Sequence, residues 1–287
     1  MLPAKKRFRD VLSSEKCSLA ANIFDPLSAR VADILGYRVC VLSGSVGKVA
    51  NLGVPDIVLS NMSDVVDHCR RITRMTDVSL MVDAEDGFGN AVNVARTVRD
   101  MENAGVCGIE IEDNVVPREF NVINPGLLST EEQVGKLRAA VAARRDPDTV
   151  IVARTSALSE LPLDEALIRI KAYSDTGAEA LMLVGAKKGK EDIRAVHEIT
   201  PLPICVLSPP ADTRDDADFL DANGVRILML GNPTFAVAVK AIYDSLSALN
   251  NGIKQEELTD RMASSELLRE VNKTDEYLNW QLEYHKT

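Results

Sequence analysis

Eight short apolar runs, each five or six residues long, punctuate the first 230 residues and constrain the fold more than any other feature. They are LAANIF (19–24), VCVLS (39–43), SLMVD (79–83), GIEIED (108–113), VIVAR (150–154), ALMLV (180–184), PICVL (203–207) and RILML (226–230). Runs this continuously apolar suit parallel strands covered on both faces. Segments of helical period lie between them. PLSARVADILG (26–36), AVNVARTVRDMENAG (91–105) and LDEALIRIKAYSDTG (163–177) each end on glycine, and TEEQVGKLRAAVAARR (130–145) begins on a threonine cap. Strand and helix alternating without a long linker imply βαβ units. Eight units predict an α/β fold, a (β/α)8 TIM barrel over residues 1–250. An open doubly wound sheet would favour G-x-G-x-x-G after the first strand, and that motif is missing. SGSVGK (43–48) does not complete a P-loop, because Leu42 replaces its first glycine and Val49 follows Lys48.

Residues 251–287 break the pattern and read as charged helices, an extension and not an independent domain. Leu267, Leu268, Val271, Tyr277, Leu278, Trp280 and Leu282 give them too much apolar surface for a solvated tail. They pack back onto their own barrel or against another subunit. The second reading is preferred, because an eight-stranded barrel is already closed.

With 287 residues and a net charge of −10, the chain is a poor default partner for nucleic acid or anionic membrane. No apolar run reaches the length of a membrane span. Its five scattered cysteines form no C-x-x-C pair, which points to reduced thiols and the cytoplasm.

In a parallel barrel the C-terminal strand ends carry the chemistry. Here they offer Ser43, Gly44 and Ser45; then Asp83, Glu85 and Asp86; then Glu110, Glu112 and Asp113; then Arg154; and finally Gly231 and Asn232. Crowded carboxylates repel, and a hard divalent cation relieves that cost through oxygen ligands. The expected ion is Mg²⁺, with Mn²⁺ as an alternative. Asp83 would ligate directly, Glu85 and Glu112 through water, and Asp56 in GVPD is a further candidate. Capping of the following helix is the competing reading for Asp83. Arg154 would bind a substrate carboxylate, or else bridge to Glu112 or Asp113. The Ser45 hydroxyl and nearby N–H groups would hold a carboxylate or enolate oxygen, or else SGSVG is a simple turn. None of the three histidines (His68, His197, His285) falls at a strand end, which argues against a Ser-His-Asp hydrolase or a zinc site.

NIFDPLSAR (22–30), LSGSVG (42–47), GVPD (53–56), VDAEDGFGN (82–90), IEIEDNVVP (109–117), VARTSA (152–157) and LGNPTFAVAVKAIYD (230–244) resemble the isocitrate lyase and phosphoenolpyruvate mutase superfamily, and within it the oxaloacetate decarboxylase branch. The resemblance implies a barrel whose eighth helix is exchanged between paired subunits, usually in a homotetramer built as a dimer of dimers. It also implies Mg²⁺ and a 2-oxo dicarboxylate substrate. By position, Ser45 contacts substrate, Asp83 holds Mg²⁺, Arg154 binds the substrate carboxylate and Asn232 lies beside the substrate. Glu85 matches a family aspartate. The loop DNVVPREFNVINPGLLS (113–129) lacks the cysteine and the lysine that the superfamily's lyases and phosphonate mutases carry there. Asn232 replaces a histidine of the decarboxylase branch, and SPPAD (208–212) replaces a tyrosine-containing segment.

The expected activity is therefore Mg²⁺-dependent decarboxylation of oxaloacetate or a close 3-substituted relative. Alternatives are a carbon–carbon lyase acting on a substituted malate or methylisocitrate, a phosphonopyruvate-processing enzyme, and a barrel that only binds a dicarboxylate.

Overall fold

The computed structural model describes residues 2–57, 59–117, 120–122 and 126–285. Nine parallel strands form one sheet: β1 (Ser18–Leu19), β2 (Ala21–Ile23), β3 (Cys40–Leu42), β4 (Leu80–Asp83), β5 (Gly108–Glu112), β6 (Val150–Thr155), β7 (Ala180–Leu183), β8 (Ile204–Leu207) and β9 (Val225–Met229). Their order is β1-β9-β8-β7-β6-β5-β4-β3-β2. The expected first strand is interrupted at Ala20. Its first half pairs with β9 and its second half with β3, so one stretch of chain joins the two edges of the sheet. The Ala20 N–H donates to Leu228 O, and the next N–H, on Ala21, donates to Val39 O. Sheet and helices thus form the (β/α)8 TIM barrel expected from the eight runs, with the first run split in two.

The helices follow local signals. Pro26–Ile34 is capped by Asp25, whose carboxylate accepts from Ser28 N at 2.7 Å. Ala91–Asn103 is capped by Asn90. Thr130–Ala143 takes its cap one residue earlier than expected. Ser129 accepts from Glu132 N at 3.1 Å, because a cap must sit in extended backbone outside the first turn. Leu163–Ser174 begins where predicted and stops three residues before Gly177.

Two apolar layers result. One lies between sheet and helices and includes Ile109, Ile111, Ile151, Leu181 and Ile204. The other fills the barrel with Val41, Met81, Val152, Met182 and Met229, and it continues into Phe8, Val11 and Leu12. Those three belong to helix Ala4–Leu12, an element the sequence reading missed. Its signal was the spacing of the same residues, which places them on one helical face. They pack with Val39, Cys107, Val150 and Ala180 at the N-terminal strand ends, which closes that mouth of the barrel. Gly108 makes room for the plug, since a Cβ there would lie 2.7 Å from Phe8 Cζ.

The chain divides into two compact units, Met1–Asn232 and Pro233–Thr287. The second contains helix Pro233–Asn250, a 3-10 turn at Gln255–Arg261, and helices Ser265–Val271 and Thr274–Tyr284. Helix Pro233–Asn250 buries none of its residues. Val237, Ile242, Tyr243 and Leu246 are each exposed, as are Trp280 and Leu282 further on. No helix among the described residues is long and apolar enough to cross a membrane.

Truncating the plug tests its contribution. Phe8→Ala should destabilise the fold by about 3–5 kcal/mol, the usual cost of emptying a buried aromatic site. Thermal and denaturant unfolding read this directly.

Candidate active site

The C-terminal strand ends gather the acidic residues around two cations. Register places Asp83 opposite Glu110, and Glu112 opposite Arg154. Arg154 is held by three carboxylates. Nη1 lies 2.5 Å from Asp83 Oδ2 and 3.2 Å from Glu110 Oε2, and Nη2 lies 3.0 Å from Glu112 Oε2. These contacts engage Nη1 twice and Nη2 once, so the five donors of the guanidinium are not exhausted. The second cation is Lys48, which is buried. Its Nζ lies 2.5 Å from Glu85 Oε1 and 2.7 Å from Asp56 Oδ1.

Local backbone geometry explains this crowding. Ser43–Gly44 is the start of a helix, Gly44–Leu52, and not the simple turn weighed from sequence. The Gly44 N–H donates to Asp83 Oδ2 at 3.2 Å, and the Glu85 N–H donates to Asp83 Oδ1 at 3.0 Å. A Cβ at Gly44 would lie 2.6 Å from Glu85 Oε1 and 3.0 Å from Asp83 Oδ2, so a larger residue would have to push these carboxylates aside. Glu85 itself adopts φ +53°, a left-handed conformation that costs a non-glycine residue on the order of 1 kcal/mol. Such strain often marks functional positions.

The electrostatics are frustrated. Burial pushes Asp83 up, but the Arg154 charge and hydrogen bond, aided by the Glu85 and Gly44 amides, outweigh it and hold the carboxyl below its usual range. Burial and then the Asp83 charge push Glu85 up to about 8, despite Lys48. Burial pushes Glu110 up to about 7; Arg154 opposes this, and Asp83 adds to it. Glu112 is raised as well, by burial first and Asp83 next, against the pull of Arg154.

Two cavities open beside this cluster. One, of about 580 Å³, is lined by Asp56, Asp83, Glu85, Glu112, Arg154 and Ser156. The other, of about 400 Å³, is lined by Ser43, Ser45, Asp83, Glu110, Arg154 and Asn232. In the second, Asn22 Nδ2 donates to Ser43 Oγ at 3.2 Å, Ser43 Oγ donates to Asn232 Oδ1 at 3.2 Å, and Asn232 Nδ2 donates to Ser45 Oγ at 3.3 Å.

The residues singled out from sequence are therefore brought together: Asp83, Glu85, Glu112, Asp56 and Arg154 around one cavity, Ser43, Ser45 and Asn232 around its neighbour. Asp86 stands apart. It accepts from the Phe88 and Gly89 amides and pairs with Lys136 at 3.3 Å. Asp113 turns to Thr155, Tyr173 and Arg169. His68 and His197 lie in helices and line neither cavity. Sequence reading missed the roles of Lys48, dismissed with the failed P-loop, and of Glu110, noted but not assigned. An apolar-strand glutamate facing a barrel interior was the available signal for Glu110. Of the loop 113–129, residues 118, 119 and 123–125 lie outside the described residues.

Among the described residues, no three acidic, histidine or cysteine side chains close on one point as a ready-made ion cage. A cation fits the cluster in a looser way. Asp56, Asp83, Glu85, Glu110 and Glu112 share Lys48 and Arg154, so carboxyl groups outnumber cations five to two, and Glu85 and Glu110 are driven toward the protonated form. Glu110 Oε1 is buried with no hydrogen-bond partner among the described residues. That excess suits a hard divalent ion that keeps most of its waters and takes one or two carboxylates directly.

Comparison with known proteins places this geometry in context. Residues 8–250 match the family model described as phosphoenolpyruvate phosphomutase. An oxaloacetate decarboxylase of Rhodopseudomonas palustris is 40% identical over 267 residues, spanning 93% of this chain and 92% of its own length. Phosphonopyruvate hydrolase in complex with oxalate and Mg²⁺ superposes with a TM-score of 0.87 at 28% identity, covering 99% of this chain and 100% of that one. Oxaloacetate acetylhydrolase in complex with 3,3-difluorooxalacetate superposes with a TM-score of 0.85 at 27% identity, covering 99% and 98%. With a family model spanning most of its length and a relative at this identity, the chain belongs to the phosphoenolpyruvate mutase/isocitrate lyase superfamily.

Proposed function

We propose that this chain is a Mg²⁺-dependent lyase that decarboxylates oxaloacetate, or a close 3-substituted 2-oxo dicarboxylate, to release CO₂ and pyruvate. The observation that carries this reading is the carboxylate-rich rim around Arg154, in a chain 40% identical to an oxaloacetate decarboxylase along nearly its whole length. Asp83 would ligate the ion directly, Glu85 and Glu112 would anchor its waters, and Asp56 lines the same cavity. Bound there, Mg²⁺ (or Mn²⁺ in its place) supplies Lewis-acid stabilisation to charge developing on the 2-oxo oxygen.

The protein's own groups do the rest. Arg154 holds a substrate carboxylate with the N–H donors that its three partners leave over. Cleavage of the C3–C4 bond releases CO₂ and moves its electron pair toward C2, giving an enolate. The Ser45 hydroxyl and the N–H groups that follow Gly44 in helix Gly44–Leu52 are the donors available to that charge, where a helix start favours an anion. Asn232 holds Ser45 in place and borders the substrate. Water then protonates the enolate. No departing group needs a proton, which suits a 113–129 segment without cysteine or lysine. The same absence weighs against a lyase acting on a substituted malate or methylisocitrate, and against phosphonopyruvate processing. A barrel that only binds a dicarboxylate would have no use for so costly an acidic cluster.

The exposed apolar side chains of residues 233–287 support packing of this segment on other copies of the chain, in a dimer of dimers with exchanged helices. In this reading residues 1–250 are the catalytic barrel and 251–287 a dependent extension. Five free cysteines and the acidic surface favour a cytoplasmic enzyme with no nucleic-acid or membrane partner.

Pyruvate release from oxaloacetate, measured with Mg²⁺ and then with EDTA against a no-enzyme control, tests the activity. Asp83→Ala should lower the enzymatic rate roughly 10³-fold, since several kcal/mol of charge stabilisation are at stake. A wild-type rate equal to the control would end the decarboxylase reading. Parallel assays with methylisocitrate, dimethylmalate and phosphonopyruvate separate the alternatives.

A second outcome concerns pH. Glu85 and Glu110 bind protons more tightly when folded, at about 8 and about 7 against an ordinary 4.5. Their contribution to stability is complete below that ordinary value and lost as pH rises through 7 and 8. The melting temperature in EDTA should therefore fall across that interval, and added Mg²⁺ should offset the fall, read by thermal unfolding at each pH.

A further inference from the structure

We infer that Lys48 is a resident counter-ion, competing with the divalent cation for the same carboxylates and weakening the site's hold on that ion while keeping the metal-free protein folded. The inference rests on the metal site proposed above and concerns a residue not assigned to it. Three observations support it. Lys48 contacts Glu85 at 2.5 Å and Asp56 at 2.7 Å, and both carboxylates line the cavity beside Asp83 and Glu112. Its side chain is only 2% exposed, so its charge is poorly screened by water. Its partner Glu85 and the expected direct ligand Asp83 both press on Gly44, 2.6 and 3.0 Å from where a Cβ would lie.

The two cations divide the carboxylates between them. Arg154 takes Asp83, Glu110 and Glu112. Among the described residues the cation paired with Glu85 is Lys48, and Glu85 crowds Asp83 over Gly44. Without Lys48, a buried glutamate would face a neighbouring carboxylate with no cation between them, a costly arrangement in a protein interior. With Lys48, a doubly charged ion entering the cavity meets a fixed positive charge a few ångströms from its ligands, and that repulsion lowers its affinity. The lysine thus exchanges affinity for stability. It also ties the exposed Asp56 to the turn that carries Glu85.

Mn²⁺ titration followed by electron paramagnetic resonance, with Mg²⁺ as competitor, tests this on the full chain independently of turnover. Lys48→Met should bind Mn²⁺ roughly tenfold or more tightly than wild type, and in EDTA it should melt at a lower temperature. Lys48→Gln keeps a donor between Glu85 and Asp56 and is read by the same titration, so misfolding of the methionine variant does not silence the test. Variants that bind Mn²⁺ as weakly as wild type, or more weakly, overturn the inference and leave the metal reading standing. Absence of Mn²⁺ binding in wild type and both variants removes the metal reading and this inference together.

Discussion

The first strand joins both edges of the sheet, and the arrangement of the rest follows from that. Ala20 is the point at which the chain stops pairing with β9 and starts pairing with β3. Once the sheet is closed, all strands deliver their C-terminal residues to one rim, and side chains more than a hundred positions apart become neighbours. Ser43 and Asn232 meet at 3.2 Å for this reason. The parallel register then sets the spacing of the charges, with Glu110 and Glu112 both facing the strand that carries Arg154. Loops tune this cluster, but closure creates it.

The cluster is held by unequal shares of charge. Arg154 keeps Asp83 ionised, while Glu85 and Glu110 are driven toward the protonated form by burial and by each other's neighbours. Divergent environments for adjacent carboxylates are typical of catalytic centres. The left-handed Glu85 and the glycine at position 44 show that backbone geometry, too, is arranged to bring these groups closer than an unstrained chain would.

Much of this was legible in the sequence. Strand-length apolar runs and glycine stops located the barrel, because burial on both faces leaves a pattern that local composition cannot hide. The polar ends of those runs named Asp83, Glu112 and Arg154. Partnerships were harder to read. Whether Arg154 faces Glu110, Glu112 or Asp113 depends on register between strands 42 positions apart, and no local rule supplies it. The role of Lys48 was hidden for a similar reason: its partner Glu85 follows a different strand. The break in the first strand escaped notice because its two halves differ only in which neighbour they pair with.

The helix that plugs the barrel has a consequence for traffic. Phe8, Val11 and Leu12 stopper the end opposite the charged rim, and methionines and valines fill the space between. The barrel is therefore a blind well and not a conduit. Anything consumed at the rim and anything set free there, including a small neutral gas, must pass on the rim side. Under this geometry arrival and departure share one side of the barrel, and the residues of the charged rim govern both.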